Sequence, residues 1–326
     1  MAAATEPDIA LELAQDVARG MACDPKQIPS RYLYDALGSQ LFEAICELPW
    51  YPVTRGERAL LARHADTILA DLGVAPTLVE LGAGNGEKLS LLLESGPALG
   101  GPATVHLVDI SSTALELSAG TLARHQWLTV VSHEAPYEAG LKLVLDEIKG
   151  GGSVVVLFLG SNIGNMGPEE SDRFLSAIRQ VCRPGDRLLL GADLIKPEAD
   201  LLLAYDDPLG VSAAFNKNLL VRLNRELDGD FDIQAFAHHV VWNPEASRIE
   251  SYLVSQKEQL VCLRGAGCCV RLAEGESIWT ESSHKYEPAG LVDMAARASF
   301  SLVDQWVESG AGFALTLLEA DSVVAR

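Results

Sequence analysis

The residues with the clearest chemical potential lie in the segment TLVELGAGNGEK, at positions 77–88. The segment begins as an apolar strand, continues through a turn that contains Gly82 and Gly84, and ends where a helix starts. Glycines let the backbone approach a ligand closely, and the first N–H groups of a helix are available to bind it. A second apolar run, 105–109, ends in Asp109, whose carboxylate suits ribose hydroxyls. The spacing predicts a nucleotide pocket.

Two classes of nucleotide ligand compete for this pattern. A dinucleotide site has the order Gly-x-Gly-x-x-Gly, followed about twenty residues later by an acid. Here the position three after Gly84 is Glu87, and Glu80 opens the motif at the end of the strand. This arrangement favours the first motif of class I S-adenosylmethionine methyltransferases over a nicotinamide or flavin site. A structural turn without a ligand is the third interpretation.

Composition restricts the class of protein. The chain has 326 residues, 48% of them hydrophobic, which is enough for one large or two modest domains with real cores. Its formal net charge of −20 argues against a nucleic-acid partner, which needs a basic face. No apolar run reaches the roughly 18 residues of a spanning helix, and the start of the chain lacks the features of a signal peptide. We expect a cytoplasmic monomer without a membrane partner.

The cysteines raise the question of a metal site. Cys262, Cys268 and Cys269, with His284 downstream, carry the ligand types that zinc prefers. They lack Cys-x-x-Cys spacing, however, and the adjacent Cys268 and Cys269 would point to opposite faces of a strand. The six cysteines are also too dispersed for a disulfide scaffold. We therefore expect thiols throughout and no metal site.

The order of predicted elements indicates an α/β fold. From 60 to 196, strands and helices alternate, which predicts a parallel sheet with helices on both faces. The continuous apolar run 154–159 is typical of a strand buried on both faces and should be the central fourth strand. Strands are predicted at 77–81, 105–109, 128–132, 153–159 and 187–192, and helices begin near Gly86, Ser111, Leu141 and Pro168.

The rest of the chain divides into three segments. Residues 1–59 form a helical segment that joins the substrate domain. Residues 197–287 interrupt the alternation as an inserted α+β domain, and residues 288–326 return to the first domain with a helix at 291–298 and strands at 300–306 and 313–318. In the insertion we predict a helical stretch at 200–227, strands at 236–242, 248–255, 259–263 and 277–282, and a turn at Asn243-Pro244.

Seven motifs in order give the chain a family resemblance over nearly its whole length. The chain resembles the histidine-specific N-α-methyltransferases of ergothioneine biosynthesis. The resemblance implies a class I (Rossmann-like) methyltransferase with S-adenosylmethionine as its cofactor, which trimethylates the α-amine of L-histidine to hercynine. The motifs are YDALGSQLF (34–42), LPWY with TRGE (48–51 and 54–57), GSNIGN (160–165), AYDD (204–207), AFN (214–216), LNREL (223–227) and TESSHK (280–285).

The resemblance implies roles for the amino-acid site. Tyr51 hydrogen-bonds the reacting amine, Asn165 helps to bind the amino-acid head, and these two are the catalytic residues. Tyr205 contacts the substrate carboxylate. Glu281 and Ser283 bind the imidazole, and their separation by two places them on one face of a strand. A carboxylate can accept the ring N–H, and a hydroxyl can donate to the ring nitrogen that carries no proton.

The cofactor site follows from the same resemblance. Lys88 pairs with the methionine carboxylate, Asp109 binds the ribose and Glu134 contacts the adenine. Tyr34 closes over the cofactor. The remaining cofactor residues are the glycines Gly82, Gly84 and Gly160.

Several positions depart from the family pattern. The chain has Glu134-Ala135 where the family usually has Asp-Phe, Asn162 where it has a small hydroxyl residue, and Ser251 where it often has methionine. Pro52 and Val53 also alter the segment before Thr-Arg. Because these changes fall near the expected substrate pocket, two alternatives stay open. One is an N-methyltransferase of another aromatic or modified amino acid such as tryptophan, and the other is a non-catalytic protein that binds S-adenosylmethionine.

Overall fold

The computed structural model describes residues 6–73, 75–94, 101–148 and 152–322. The chain divides into two compact units: the first is Met1–Pro52 with Lys196–His284, and the second is Val53–Ile195 with Lys285–Arg326. The boundaries predicted from the sequence were 59/60, 196/197 and 287/288. The functions assigned to these segments stay predictions. Within the described residues, no helix combines the length and apolar character that crossing a bilayer demands.

Helices and strands follow one another in a mixed order. The helices are α1 (Glu6–Met21), α2 (Ala36–Cys46), α3 (Val53–Ile68), α4 (Glu87–Leu93), α5 (Ser112–Leu122), α6 (Tyr137–Glu147), α7 (Pro168–Val181), α8 (Glu198–Tyr205), α9 (Val211–Glu226) and α10 (Pro288–Arg297). The strands are β1 (Lys26–Gln27), β2 (Thr77–Leu81), β3 (Ala103–Asp109), β4 (Leu128–Glu134), β5 (Val154–Phe158), β6 (Arg187–Asp193), β7 (Phe236–Asn243), β8 (Arg248–Ser255), β9 (Gln259–Leu263), β10 (Cys268–Leu272), β11 (Ser277–His284), β12 (Phe300–Glu308) and β13 (Phe313–Ala320).

The second unit contains a seven-stranded sheet in the order β12-β13-β6-β5-β2-β3-β4. Strands β6, β5, β2, β3 and β4 are parallel, whereas β13 runs antiparallel to both β6 and β12. Strand β5 is fourth from either edge, and all five of its residues are buried, because helices cover both faces at this position. The predicted class I methyltransferase sheet and its central strand are confirmed.

One face of this sheet carries an extensive apolar core. Side chains of α6, α7 and α10 pack there against the strands, with Phe158, Phe174 and Leu291 almost fully enclosed. The chain reverses its direction across the sheet after β4, so right-handed crossovers place α5 and α6 on opposite faces. Because β2, β3 and β5 are parallel, their carboxyl ends lie at one edge, and the reversal opens a crevice there in which ligands of open α/β sheets bind.

The first unit combines helices with a four-stranded sheet in the order β1-β11-β8-β7. The predicted turn at Asn243-Pro244 is confirmed between β7 and β8. The predicted helical stretch 200–227 is two helices, because Asp207 accepts the N–H groups of Leu209, Val211 and Ser212 and so starts α9 anew.

The prediction that every cysteine is a thiol is wrong for one pair. Cys262 on β9 lies directly opposite Cys269 on β10, with a Cα–Cα distance of 4.0 Å, and a disulfide joins them. Strand β10 is not predicted from the sequence, and the register of its hairpin with β9 decides which cysteines meet. Within the described residues, no cluster suited to a metal includes these cysteines. The other four are thiols: Cys23, Cys46, Cys182 and Cys268.

Candidate active site

The glycine turn after β2 depends on backbone angles that favour glycine. Gly82, Gly84 and Gly86 have φ values of +86°, +52° and +74°. A Cβ on Gly82 would lie only 3.0 Å from the Nδ2 atom of Asn162, whereas a Cβ on Gly84 would meet nothing within 4 Å. The turn is therefore bent by its glycines and leaves open space beside Gly84, which a bound molecule can enter.

Two acids stand side by side at the ends of β3 and β4. Asp109 pairs with Glu134 in the parallel register, and Glu134 is exposed. The carboxylate of Asp109 accepts the N–H of Ser111 at 2.9 Å and also bonds the backbone of Ala83 and Gly84. Burial raises the pKa of Asp109 above its ordinary value, and these backbone donors oppose the rise. The acid and the glycine turn thus form one hydrogen-bonded unit.

Glu57 on α3 is a polar residue whose importance the sequence analysis missed. Its side chain is fully buried, forms an ion pair of 2.7 Å with Lys88, and accepts the N–H of Gly160 at 2.8 and 3.0 Å. A Cβ on Gly191 would lie 2.2 Å from its Oε1 atom, so only glycine leaves room there. The sequence does contain a sign of this burial, since Glu57 is an acid on the apolar stripe of an amphipathic helix, between Val53 and Leu60.

Glu80, at the end of β2, adds a further buried acid. Burial, which the positive charge of Lys88 opposes and the negative charges of Glu57 and Asp109 reinforce, raises the pKa of Glu80 to about 8. The carboxylates of Glu57 and Asp109 thus outnumber the one ammonium, that of Lys88, in this region. The surplus favours a ligand that brings positive charge.

The loop after β5 carries Asn165, as the sequence predicts for a site at the carboxyl edge. Gly160 and Ser161 both have left-handed φ values, +78° and +61°, and a short 3-10 turn, Asn162–Asn165, follows. The hydroxyl of Ser161 accepts the N–H of Asp193 at 2.9 Å, which holds the strained residue in place. Asn165 is half-buried at the end of the turn.

In the first unit, four predicted residues fall into a buried tyrosine–serine cluster of Tyr51, Tyr205, Glu281 and Ser283. The hydroxyls of Tyr205 and Ser283 are 2.8 Å apart and hydrogen-bonded. The ring centroids of Tyr51 and Tyr205 are 6.1 Å apart in an edge-on arrangement. Glu281 and Ser283 are 9% and 4% exposed. Polar groups that are this buried form a site for a small ligand with complementary polar atoms.

A β-bulge in β11 orients the acid of this cluster. The register with β8 shifts between Trp279 and Glu281, so Thr280 is an extra residue. Glu281 and Ser283 share one face of the sheet by ordinary alternation, and the bulge places Trp279 on the other. The Thr280 hydroxyl donates to the Oδ1 atom of Asn216 at 2.6 Å, which anchors the bulge to α9.

Tyr34 also belongs to the first unit, next to this cluster in an aromatic group. Its ring centroid is 5.5 Å from that of Phe42 and 5.4 Å from that of Phe215, and Phe42 in turn lies 6.3 Å from Tyr51. The neighbouring Asp35 caps α2 by accepting the N–H of Gly38. These contacts fix the segment that carries Tyr34.

The predicted site residues thus divide between the units. The first unit holds Tyr34, Tyr51, Tyr205, Glu281 and Ser283, and the second holds Gly82, Gly84, Lys88, Asp109, Glu134, Gly160 and Asn165.

Comparison with known proteins decides the family. The sequence model described as "Histidine-specific methyltransferase, SAM-dependent" matches residues 13–320. The chain belongs to this family. It is 38% identical over 309 residues to a histidine N-alpha-methyltransferase of Mycobacterium tuberculosis and 37% identical over 306 residues to one of Mycolicibacterium smegmatis, each comparison covering 94% of both chains. It is also 26% identical to ergothioneine biosynthesis protein 1 of Neurospora crassa, over 86% of this chain and 32% of that one.

Membership of the histidine-specific methyltransferases confirms the resemblance drawn from the motifs and identifies S-adenosylmethionine as the cofactor. The residues around the glycine turn fit this molecule. An open space beside Gly84, an acid at the end of β3 and a surplus of negative charge suit a ligand with a ribose, a sulfonium and an ammonium group. The roles of individual residues stay predictions.

A first prediction concerns Glu57. In Glu57→Gln, the ammonium of Lys88 loses its charged partner while the Gly160 N–H keeps an acceptor, so the free energy of unfolding should fall by about 1–3 kcal/mol. The control is Glu87→Gln, which removes an exposed pair with Arg58 at 3.4 Å and should change stability little. Urea unfolding measures both. Equal stability of the two variants would show that the buried pair does not stabilise the turn.

A second prediction concerns pH. Because the pKa of Glu80 rises from 4.5 to about 8 on folding, the folded chain keeps a proton that the unfolded chain releases between these values. Stability should therefore fall as pH rises from about 5 to 8, and Glu80→Gln should flatten that fall. Thermal unfolding of both proteins without cofactor across this range measures the difference. Parallel curves would contradict the assignment to Glu80.

Proposed function

We propose that this protein transfers methyl groups from S-adenosylmethionine to the α-amine of L-histidine and forms the trimethylated betaine hercynine, a step of ergothioneine biosynthesis. One observation carries the proposal: a chain of the histidine-specific family places a buried acid, Glu281, on the same strand face as Ser283, whose hydroxyl is bonded to Tyr205. This donor and acceptor pair complements the two nitrogens of an imidazole.

The bond between Tyr205 and Ser283 suggests how the ring is read. When the hydroxyl of Tyr205 donates its proton to the Ser283 oxygen, the Ser283 hydroxyl can donate its own proton to another acceptor. The nitrogen of a neutral imidazole that carries no proton can be that acceptor. The ring N–H then donates to Glu281. In this arrangement Tyr205 orients Ser283 and does not donate to the substrate carboxylate, which changes the role implied by the resemblance.

The same pair disfavours the main alternative substrate. An indole has an N–H donor and no nitrogen acceptor, so tryptophan would satisfy Glu281 and offer no acceptor to the Ser283 hydroxyl. Histidine therefore forms one hydrogen bond more than tryptophan at this pair, and a hydrogen bond contributes about 0.5–1.5 kcal/mol. Ser251, which differs from the family pattern, pairs with Glu281 across the sheet. It adds a small polar side chain to the same face, which is compatible with a preference for imidazole over indole.

For the cofactor, we propose the residues that the resemblance indicates. Lys88 binds the methionine carboxylate from its position beside Glu57. Asp109 binds the ribose and Glu134, its neighbour in the sheet, binds the adenine. The turn residues Gly82 and Gly84, the loop residue Gly160 and the aromatic Tyr34 complete the set.

The chemistry needs orientation more than it needs a strong base. S-adenosylmethionine supplies a methyl carbon bonded to a positively charged sulfur. The amine lone pair forms the new N–C bond as the C–S bond breaks, and the electron pair of that bond stays on sulfur. The α-amine at a peptide terminus has a reference pKa near 8, and that of a free amino acid is higher, so a small fraction is deprotonated at neutral pH. We propose that Tyr51 and Asn165 accept its N–H bonds and align the lone pair.

A third prediction tests the function as a whole. The purified chain is incubated with S-adenosylmethionine and single amino acids, and the products are weighed by mass spectrometry. Histidine should gain mono-, di- and trimethyl products, with trimethylhistidine at the end of the reaction. Methyl products on tryptophan alone would replace the proposed substrate, and no product with any amino acid, despite binding of the cofactor, would favour a non-catalytic binding protein.

A fourth prediction tests the ring contacts. Glu281→Ala should weaken histidine binding by about 2–5 kcal/mol, because a buried partner of the ring N–H is lost. Ser283→Ala should weaken it by about 1–3 kcal/mol. Calorimetric titration with histidine in the presence of S-adenosylhomocysteine measures both.

Two matched variants serve as controls for this experiment. Glu274→Ala removes an exposed acid between β10 and β11, and Ser282→Ala removes the neighbouring serine, which points to the opposite face of β11. Both should bind histidine as the unmodified chain does. If Ser282→Ala and Ser283→Ala weaken binding equally, the proposed face of the strand is incorrect.

We propose further that the enzyme acts as a monomer in the cytoplasm. Light scattering on a sizing column gives the mass directly, to be compared with 34.9 kDa for one chain. A reducing compartment acts against the Cys262–Cys269 disulfide, in which Cys269 is exposed. Non-reducing peptide mapping of protein alkylated inside cells would show whether that pair is oxidised there.

A further inference from the structure

Two histidines meet on the outer part of the sheet in the second unit. His106 on β3 and His133 on β4 bring Nδ1 and Nε2 within 2.9 Å of each other. Their rings are nearly parallel, with centroids 5.1 Å apart and an interplanar angle of 20°. His106 is 6% exposed and His133 is half-buried. The pair is therefore preorganised by the sheet and accessible from one side.

The register explains why the rings meet. His106 pairs with Val131, and Val108 pairs with His133, so the two histidines are diagonal neighbours on the same face of parallel strands. Helix α6 covers that face, since a Cβ on Gly140 would lie 2.2 Å from the Cγ1 atom of Val108.

A carboxylate completes the group. Glu147 is the last residue of α6 and is exposed. One ligand atom each from His106, His133 and Glu147 lies within 4.8 Å of the others. Three side chains from two strands and one helix thus converge on a common point.

The charges of the group suit a cation. Burial lowers the pKa of both His106 and His133, and the neighbouring ring lowers that of His106 further, whereas Glu147 opposes both shifts. Both rings are therefore neutral at pH 7, the form that donates a lone pair to a metal. Their mutual hydrogen bond uses one ring proton, which would move to the other nitrogen of the same ring when a metal binds, so that both rings stay neutral.

We propose that His106, His133 and Glu147 form a binding site for a divalent transition metal, with Zn²⁺ as the ion of choice. Two imidazoles and one carboxylate are a donor set for such ions and unlike the all-oxygen sets of calcium or magnesium. At Zn–N distances of about 2.1 Å in a tetrahedral site, the two nitrogens would lie about 3.4 Å apart, so the rings need to separate only slightly. Water occupies the fourth position.

The site differs from the cofactor residues but shares their strands. His106 precedes Asp109 by three positions, and His133 directly precedes Glu134. Strand β4 is at the edge of the sheet and pairs with β3 alone. A metal would therefore tie the edge strand to β3 and to α6, and would stabilise the strand ends that carry Asp109 and Glu134.

A fifth prediction tests this site on the full chain after treatment with a chelator. Titration calorimetry with Zn²⁺ should show one equivalent bound in the micromolar range or tighter, and the melting temperature should rise on binding. Co²⁺ should give visible absorption without the thiolate charge-transfer band of a cysteine site. His133→Gln and Glu147→Gln should each weaken Zn²⁺ binding about tenfold or more.

A control variant and an exposed ligand residue show whether Zn²⁺ binding depends on this site. His239→Gln removes an exposed strand histidine of the first unit and should bind Zn²⁺ as the unmodified chain does. Glu147 is exposed, so its variant tests the site even if His133→Gln does not fold. Absence of saturable binding in the unmodified chain, or retention of its affinity in Glu147→Gln together with His133→Gln, would overturn the proposal.

Discussion

The ion pair between Glu57 and Lys88 is the interaction on which the cofactor side of the structure depends. A fully buried carboxylate requires compensation, and it receives both the ammonium of Lys88 and the N–H of Gly160. These contacts join α3, the start of α4 and the loop after β5. The missing side chain at Gly191 provides the space. Removing any one of these features would leave a buried charge or N–H without its partner.

The first unit is organised by a comparable series of polar contacts. Asp207 starts α9, α9 carries Asn216, and Asn216 accepts the hydroxyl of Thr280 beside Glu281. Asp35 likewise accepts from Asn218 on the same helix. Several residues of the recognised motifs thus hold the framework in place. This explains how motifs distributed over the whole chain contribute to one small cluster without all of them contacting a ligand.

The sequence predicted the features that follow from continuous or periodic burial. The apolar run at 154–159 indicated the central strand because a strand covered on both faces excludes polar residues. Predictions failed where a single side chain decides the local structure, as Asp207 does between α8 and α9, or where register matters, as for Cys262 and Cys269. The contact of His106 with His133 is of the second kind.

The candidate site was predicted to a similar extent. Motif spacing indicated which side chains matter, since Glu281 and Ser283 share a face as expected. It did not reveal Glu57, because an acid on a helix is ordinarily solvated and only the tertiary structure shows it enclosed. Nor did it reveal the hydrogen bond that gives Tyr205 and Ser283 a common orientation, which depends on two segments 78 positions apart.

The extra residue at Thr280 affects how this strand can evolve. Strict alternation would place Trp279 and Glu281 on one side, yet the bulge separates them, and Trp279 stacks with Tyr252 and Arg248 on the opposite surface. Residues on one surface of the strand can therefore be substituted without changing the residues on the other. Deletion of the Thr280 codon would leave Trp279 and Glu281 on these opposite surfaces, because adjacent residues of a regular strand alternate, and would remove the hydroxyl that bonds Asn216. Loss of this codon should therefore loosen the attachment of the strand to α9 and spare the side chains that each surface presents.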